Sequence, residues 1–475
     1  MKQIRKNSLR LAIVLSALLL LLAGYGAYSI TTYGNRWFSS SANTFLRNKK
    51  KDVTAGDILD RSGVLLASTQ DGRRVYAQDA AVRRAAVHVV GDRDNNVNNG
   101  AESFRSSALY GFQMGFLERL SALVKGEPRK GDTVRLTIDS RLSAYIASLF
   151  PADKDGAVVV MNYQTGEVLA ENSFPNFDPD RVTDAVRQDG RQPFFNRAVQ
   201  GRYAPGSTFK IVTTAAALRT FADAQTRTFL CTGILQYGER RVTDAGTRLE
   251  EGKITSHGEL TLSQAFKVSC NNSFAQLALA LGDERLRKTA EAFGFNDNFL
   301  FRDIVVENSS YPTQNRTEGE IAWTGAGQSA LSASPLHMCL IACAVANDGV
   351  IMEPKLCQSI TASNGKTRSE LKSKVYRKAM DAETANVIKE YMRSVVTGGT
   401  GTAAGINGVK VCGKTGSAEL DTQEDTNAWF VGFLDEAESP YALSIVVENA
   451  GGGGSVAAPI ARRIFEWMLK NGYGG

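Results

Sequence analysis

The stretch Pro205-Gly206-Ser207-Thr208-Phe209-Lys210 decides how the rest of this sequence is interpreted. A helical run follows over residues 208–218, so Ser207 is predicted to lie in the first turn of a helix. Free backbone N–H groups and the helix dipole favour developing negative charge at that position. Lys210 follows at i+3 on the same face, where its amine can reach the serine oxygen. An ordinary helix start with a capping serine and an exposed lysine would give the same pattern.

A second string, Ser269-Cys270-Asn271, favours the chemical interpretation. On an irregular turn, the hydroxyl and the amide on either side of Cys270 can point into one cleft. The hydroxyl can then relay a proton to a departing amine, and the amide can orient a peptide bond. A plain turn or helix start is the alternative, because Ser and Asn are common in both. Cys270 is expected to point away from the cleft and to be inert.

A third string, Lys414-Thr415-Gly416-Ser417, is predicted to continue a strand that begins at Val409. The edge of such a strand offers its N–H and C=O groups to an extended peptide. Gly416 permits close approach of another backbone, and Lys414 with Thr415 suits a terminal carboxylate. An edge lysine that only aids solubility is the alternative.

The three strings together predict one reaction centre. A lysine acts as a base near neutral pH only when burial or a nearby cation depresses its pKa, and Lys414 would be that cation for Lys210. The backbone N–H groups of Ser207 and Ser417 could form an oxyanion hole.

The distribution of apolar runs predicts an α+β fold. Strands are expected at 156–161 and 167–170, and again at 428–434 and 442–447, each bounded by turn residues. A mostly helical region over about 200–395 separates these two groups, and residues 455–470 form an amphipathic helix. The strands from both ends should therefore share one central antiparallel sheet flanked by helices.

The N-terminus predicts a membrane anchor. No charged residue occurs between positions 11 and 35, and twenty helical residues span the hydrocarbon core of a bilayer. Lys2, Arg5, Lys6 and Arg10 precede this run, which places the N-terminus in the cytoplasm and the rest of the chain outside. A cleaved signal peptide is the alternative, although the run is longer than a typical signal core. A basic stretch at 47–51 is either solvated or in contact with lipid headgroups.

The net charge and the cysteines exclude several classes of protein. The chain has a formal charge of +6, but four of the cations lie in the first ten residues, so nothing indicates nucleic-acid binding. None of the six cysteines forms C-x-x-C, and the three histidines are scattered. No zinc site and no other metal or cofactor is therefore expected. The cysteines are predicted to be free, buried thiols.

The sequence resembles the class B penicillin-binding proteins, the membrane-anchored D,D-transpeptidases of peptidoglycan synthesis. Beyond the three strings, the resemblance rests on several further segments. These are residues 56–67, 156–170, 177–179, 196–198, 257–258, 398–404 and 429–433. The chain departs from the family at Ala55, where an arginine is common, and in its short pedestal of about 100 residues.

The resemblance implies an organisation and a reaction. It divides the chain into a cytoplasmic tip and anchor (1–35), a small, mostly β pedestal (36–135) and a penicillin-binding transpeptidase domain (136–475). Ser207 would be acylated, with Lys210 as its base and Ser269 as proton shuttle. Asn271 would position the donor peptide, and the 414–417 strand would hold its D-Ala carboxylate.

The resemblance also implies partners. These are peptidoglycan stem peptides, β-lactam antibiotics, the cell membrane and a glycan polymerase of the SEDS type. The alternatives to a transpeptidase are a D,D-carboxypeptidase, a β-lactamase, or a scaffold whose main role is to activate a polymerase. A glycosyltransferase domain has no room between residues 36 and 130.

Overall fold

A computed structural model describes residues 2–38, 53–112, 114, 118, 124, 130–244, 249–250, 253–314, 316–418 and 426–473. The basic stretch at 47–51 lies outside these residues, and so does most of segment 112–124, in which the spacing of apolar residues is typical of a helix. The strands, β1 to β19 in chain order, are Ile58–Leu59, Leu65–Gln70, Arg73–Tyr76, Thr133–Leu136, Gly156–Asn162, Val168–Phe174, Thr228–Cys231, Ile234–Tyr237, Arg240–Thr243, Leu249–Glu250, Lys253–Ile254, Gly258–Thr261, Val350–Met352, Cys357–Thr361, Thr367–Glu370, Val375–Lys378, Val411–Ala418, Asn427–Leu434 and Tyr441–Val447.

The α-helices alternate with these strands along the chain. They are Lys2–Phe38, Ala80–Ala85, Val87–Val90, Ala101–Phe104, Ser106–Leu109, Ser140–Leu149, Asp184–Arg187, Arg197–Gln200, Lys210–Thr220, Leu262–Val268, Asn271–Leu281, Asp283–Phe293, Glu318–Gly325, Pro335–Ala346, Ala382–Gly398 and Ala457–Lys470. Two 3-10 turns, Gly206–Phe209 and Thr402–Ala404, lie between them.

The central sheet has five strands in the order β17-β18-β19-β5-β6, and every neighbouring pair is antiparallel. This confirms the prediction that strands from both ends of the chain share one sheet. β17 begins at Val411 rather than Val409, because residues 406–411 form turn hydrogen bonds instead of a ladder. β17 is an edge strand, so its free side is available to a ligand.

Both faces of this sheet are covered by helices, which explains why its three inner strands, β5, β18 and β19, are largely apolar. In β5, Val158 and Val160 contact one hydrophobic core, whereas Ala157, Val159 and Met161 contact the other. The first core contains helices Ser140–Leu149 and Ala457–Lys470, and the second contains helix Pro335–Ala346, all twelve residues of which are buried. Full burial of each large apolar side chain stabilises the fold by roughly 1.5–3 kcal/mol. The two cores therefore hold the central sheet, and with it β17, in a fixed position.

A second sheet of six strands lies in the membrane-proximal part, in the order β15-β14-β4-β1-β2-β3. β14 and β15 come from residues 357–370, so this sheet combines strands from both sides of position 135. Four short helices over residues 80–109 accompany it. Arg74 and Glu102 form an ion pair beneath it, and both side chains are buried. The domain boundaries at 35 and 135 stay a prediction.

The N-terminal helix Lys2–Phe38 contains the predicted anchor. Among the described residues, Gln3–Ser29 is the helical segment long and apolar enough to cross a membrane. Its large apolar side chains are exposed in the isolated chain, as expected for a helix whose solvent is lipid.

Candidate active site

Ser207 lies in a 3-10 turn, Gly206–Phe209, that leads directly into helix Lys210–Thr220. The α-helix was predicted to begin earlier, but such tight turns are frequent at helix N-termini. Gly206 has φ +54°, and a Cβ added there would lie 3.0 Å from the carbonyl oxygen of Ser417. Glycine is needed here because the nucleophile turn packs against the edge strand. The first and third strings therefore meet through their backbones.

The Lys210 amine contacts groups from the first and second strings. Its Nζ lies 3.1 Å from Ser207 Oγ, 2.6 Å from the carbonyl oxygen of Ser269, 3.3 Å from Ser269 Oγ and 2.8 Å from Asn271 Oδ1. The side chain is fully buried. Burial lowers the pKa of Lys210 to about 8, although nearby Cys270 and Asp244 act in the opposite direction. The amine is therefore neutral in part near physiological pH and within reach of the Ser207 proton.

The turn at Ser269 joins two helices and presents its neighbouring side chains in opposite directions. Ser269 ends helix Leu262–Val268 in the left-handed conformation, with φ +62°, and Cys270 caps the N-terminus of helix Asn271–Leu281. A left-handed non-glycine residue costs of order 1–3 kcal/mol, and such residues cluster at functional sites. The conformation directs the carbonyl and the hydroxyl of Ser269 to Lys210.

Cys270 points away from the cleft, as predicted. Its side chain is fully buried, and its Sγ lies 3.3 Å from Asp244 Oδ2. Burial raises the pKa of the Cys270 thiol to about 12, so the thiol is protonated at neutral pH in this form. All six cysteines lie in the described residues, and they are buried and free, as predicted.

Lys414 is the second buried cation of the site. Its Nζ lies 2.8 Å from Ser269 Oγ and 3.0 Å from the carbonyl oxygen of Thr415. Burial, and then the charge of Lys210, holds the pKa of Lys414 well below its usual range. The Ser269 hydroxyl thus lies between two amines, and the charge of Lys210 disfavours protonation of Lys414. Such an arrangement can transfer a proton between the amines and a substrate. The sequence suggested the opposite direction, with Lys414 as the cation that lowers the pKa of Lys210.

These groups border a cleft of about 620 Å³. Six of the eight predicted site residues line it: Ser207, Ser269, Asn271, Thr415, Gly416 and Ser417. The other two, Lys210 and Lys414, lie beneath its floor and are fully buried. The structure therefore brings all eight predicted residues together.

Several residues of the site were not predicted. Thr400 Oγ1 lies 2.5 Å from Thr415 Oγ1, and Gln328 donates to the carbonyl oxygen of Ser417. Gly453 also lines the cleft, and a Cβ there would lie 2.5 Å from the carbonyl oxygen of Gly416. The glycine-rich segments around Thr400 and Gly453 were a possible signal, because glycines collect where backbones approach closely.

Asp244 was also missed. Its Oδ1 accepts a short hydrogen bond from the backbone N–H of Asn271 and another, 3.2 Å long, from that of Asn272. Asn271 Nδ2 in turn donates to the carbonyl oxygen of Thr243, at 2.8 Å. The carboxylate therefore fixes the start of the helix that carries Asn271. No local sequence pattern connects the two positions.

The comparisons with known proteins agree on one family. The model described as "Penicillin binding protein transpeptidase domain" matches residues 156–466. The peptidoglycan D,D-transpeptidase PbpA of Mycolicibacterium smegmatis is 30% identical over 386 residues, which cover 75% of this chain and 76% of that protein. Stage V sporulation protein D of Bacillus subtilis is 31% identical over 370 residues, 72% of this chain and 54% of its own length.

A solved structure extends this similarity to the fold. The imipenem acyl-enzyme complex of penicillin-binding protein A from M. tuberculosis matches with a TM-score of 0.78 and 27% identity. The match covers 88% of this chain and 100% of that one.

Proposed function

The chain belongs to the class B penicillin-binding proteins, and on that premise we propose that Ser207 is the residue acylated in its reaction. The protein is a serine-type D,D-transpeptidase, which cross-links peptidoglycan stem peptides and is acylated by β-lactams. The observation that supports the role of Ser207 is the 3.1 Å contact between its Oγ and the buried amine of Lys210. A hydroxyl becomes nucleophilic when such a base removes its proton.

The first half of the reaction begins with proton transfer from Ser207 Oγ to neutral Lys210. The oxygen attacks the penultimate D-Ala carbonyl carbon of a stem peptide, and the developing oxyanion accepts hydrogen bonds from the N–H groups of Ser207 and Ser417. The tetrahedral intermediate then expels the terminal D-Ala. The departing amine takes the proton that Lys210 accepted, through the hydroxyl of Ser269.

The second half reverses these steps with a different amine. An amine of a neighbouring stem peptide loses its proton through Ser269 and attacks the acyl-enzyme, and the serine oxygen recovers a proton from Lys210. The Ser269 hydroxyl can mediate both directions because it lies within 3.3 Å of Lys210 Nζ and 2.8 Å of Lys414 Nζ.

The free edge of β17 holds the donor peptide by backbone pairing. Asn271 also lines the cleft, and it orients the donor's amide. The terminal carboxylate meets the hydroxyl of Thr415, which lines the cleft and is 5% exposed. Lys414 is fully buried and does not line the cleft, so it acts on the carboxylate through Thr415, whose carbonyl oxygen accepts a hydrogen bond from its amine. Gly416 leaves space for the peptide backbone.

The intact-protein mass after incubation with benzylpenicillin tests this assignment. We expect one persistent penicillin adduct on the parent and on Ser148→Ala, which changes an exposed serine, and no adduct on Ser207→Ala. An adduct on a folded Ser207→Ala protein would overturn the assignment. Rapid drug hydrolysis without an adduct would instead indicate a β-lactamase.

The remaining proposals concern placement and partners. We propose that the N-terminus is cytoplasmic and residues 136–475 are extracytoplasmic, because Lys2, Arg5, Lys6 and Arg10 flank the apolar helix on one side. Protease protection in sealed spheroplasts tests this, since the reverse orientation would protect the catalytic domain.

A SEDS-type polymerase is the proposed partner of the anchor and the 36–135 pedestal. Co-purification that survives exchange of the anchor and pedestal for unrelated ones would exclude that contact.

A further inference from the structure

Four residues with metal-binding side chains converge directly behind the Ser269 turn. Cys231 ends β7, Asp244 follows β9, His257 precedes β12 and Cys270 lies between Ser269 and Asn271. One ligand atom from each residue lies within 4.8 Å of all the others. We propose that these four side chains bind one Zn²⁺ ion and that this ion holds the catalytic turn in place. The proposal revises the expectation from sequence that the chain has no metal site.

The distances fit a small tetrahedral ion. Zn²⁺ bound by sulfur at about 2.3 Å and by nitrogen or oxygen at about 2.0 Å places neighbouring ligand atoms roughly 3.3–3.8 Å apart. His257 Nδ1 lies 3.5 Å from Cys231 Sγ and 3.3 Å from Asp244 Oδ2, and Cys270 Sγ lies 3.3 Å from the same carboxylate oxygen. The Cys231 Sγ–Asp244 Oδ2 distance is 2.8 Å, so a metal would move these two atoms apart by less than about 1 Å.

The types of ligand select the metal. Two thiols, one imidazole and one carboxylate form a mixed set that suits Zn²⁺, whereas Mg²⁺ and Ca²⁺ prefer oxygen ligands alone. Four protein ligands leave no open position, which is the pattern of a structural site rather than a catalytic one.

Hydrogen-bond donors surround the proposed ligands, as they do in protein metal sites. The N–H and hydroxyl of Ser273 lie 3.3 and 3.1 Å from Cys270 Sγ, and the N–H of His257 lies 3.5 Å from Cys231 Sγ. Asp244 uses its other oxygen for the backbone of Asn271 and Asn272. These donors can stabilise two thiolates and keep Oδ2 of Asp244 directed at the cluster.

The surroundings also provide a route for the ion. Cys231 and Cys270 are buried, but the His257 side chain is 35% exposed and, with Asp244, lines the cleft. Binding displaces one proton from each thiol and adds a dication, so the summed charge of the four groups is unchanged. The net charge next to Lys210 is therefore the same with and without the metal. The effect on the reaction acts through the position of Ser269 and Asn271.

The test uses the full-length protein, purified in detergent with a reductant, loaded with Zn²⁺ and then desalted. Metal content by inductively coupled plasma mass spectrometry should give one Zn²⁺ per chain. Cys231→Ser and His257→Gln should lose at least tenfold in Zn²⁺ affinity, as mutations around metal sites commonly do. Cys412→Ser and Cys343→Ser change buried cysteines outside the cluster, and both should retain the ion.

Several results would overturn the proposal. These are a reduced parent that retains no Zn²⁺, equal retention in folded Cys231→Ser, and a Cys231–Cys270 disulfide that persists under the conditions of the cell envelope. If the variants do not fold, Co²⁺ loading of the parent decides, because cysteine ligation gives an intense thiolate-to-metal absorption band. Absence of that band would count against the site.

Acylation by a fluorescent penicillin, measured on the same samples, separates this proposal from the proposed function. A parent without zinc that is acylated refutes only the metal site. A parent that binds zinc but is never acylated refutes only the role of Ser207.

Discussion

The turn Ser269–Asn271 has two sides that differ in their electrostatics. On the cleft side, two buried lysine amines lie within 3.3 Å of one hydroxyl; burial lowers the pKa of both, and the charge of Lys210 lowers that of Lys414 further. On the other side, two thiols and an imidazole surround the carboxylate of Asp244, an arrangement that attracts a cation. The same three residues separate a site where positive charge is disfavoured from one where it is favoured.

The difference shows how the structure holds the two reactive lysines in a buried position that is unfavourable for a charged amine. Burial of a charged amine is costly, and the chain responds by lowering the pKa values of Lys210 and Lys414. The left-handed conformation of Ser269 adds strain. The surrounding structure must offset both costs. On the cleft side, packing of β17 in the central sheet offsets these costs. On the other side of the turn, in our proposal, the bound metal offsets them by holding Cys270.

Replacing Lys210 by arginine should have the largest effect, because it abolishes the uncharged state on the cleft side. The guanidinium keeps its proton at any accessible pH, so it cannot accept one from Ser207. General-base catalysis is worth about 10²–10⁴-fold, and we expect the penicillin acylation rate to fall by that factor. Stopped-flow acylation of Lys210→Arg and of Lys389→Arg measures this.

Lys389→Arg is the matched control, because Lys389 forms ion pairs with Asp348 and Asp435 away from the cleft. Arginine can retain those pairs, so the control should acylate at the parental rate. A folded Lys210→Arg protein that also acylates at that rate would show that another group is the base.

The pH dependence should give the next largest effect. The reaction needs neutral Lys210, whose pKa burial lowers to about 8. The acylation rate should therefore rise about tenfold per unit as pH increases towards 8 and then level off. An acylation rate that instead continued to rise beyond pH 9 would indicate a lysine with an ordinary pKa. That result would contradict the lowering of the Lys210 pKa by burial.

A change on the other side of the turn should have a smaller effect. Cys231 contacts Asp244 and His257 but lines no part of the cleft. Cys231→Ser should slow acylation by about tenfold, in line with changes around metal sites. A chelator should slow the parent similarly but leave the variant unchanged. If the chelator slows both proteins equally, the effect does not depend on the cluster.

The cleft side could be predicted from sequence because its information is local. Ser207 and Lys210 are one helical turn apart, Ser269 and Asn271 flank one residue, and Lys414 to Ser417 are consecutive in one strand. Each string fixes the relative directions of its own side chains, and the apolar strands on both sides of the helical region predict the sheet that joins them. The fold then had only to bring three rigid pieces together.

The cluster of Cys231, Asp244, His257 and Cys270 could not be predicted from such local patterns. Cys231 and Asp244 are 13 positions apart, and Cys270 is 26 positions beyond Asp244. No two of the four ligands lie closer than 13 positions, whereas the common zinc motifs contain pairs of ligands only two to five residues apart. The convergence depends on the pairing of β7 with β12 and on the hairpin of β8 with β9, two small sheets that short strands specify weakly. The contact of Thr400 with Thr415 was missed for a related reason: the glycines around Thr400 indicate a close approach of two backbones, but only the tertiary fold shows which residue Thr400 meets.

Thr400 gives the mildest test of how the cleft binds its ligand. Thr400→Val removes the hydroxyl that contacts Thr415 at 2.5 Å but leaves the buried amines unchanged. Loss of one neutral hydrogen bond costs about 1 kcal/mol, or roughly fivefold. We expect that loss in the apparent affinity for benzylpenicillin, with little change in the maximal acylation rate, because Thr415 orients the carboxylate and takes no part in proton transfer. Thr397→Val, an exposed change on helix Ala382–Gly398, should leave both constants unaltered. If Thr400→Val instead lowered the maximal rate and spared affinity, the carboxylate would lie elsewhere, and the Thr400–Thr415 pair would belong to the chemistry around Ser269.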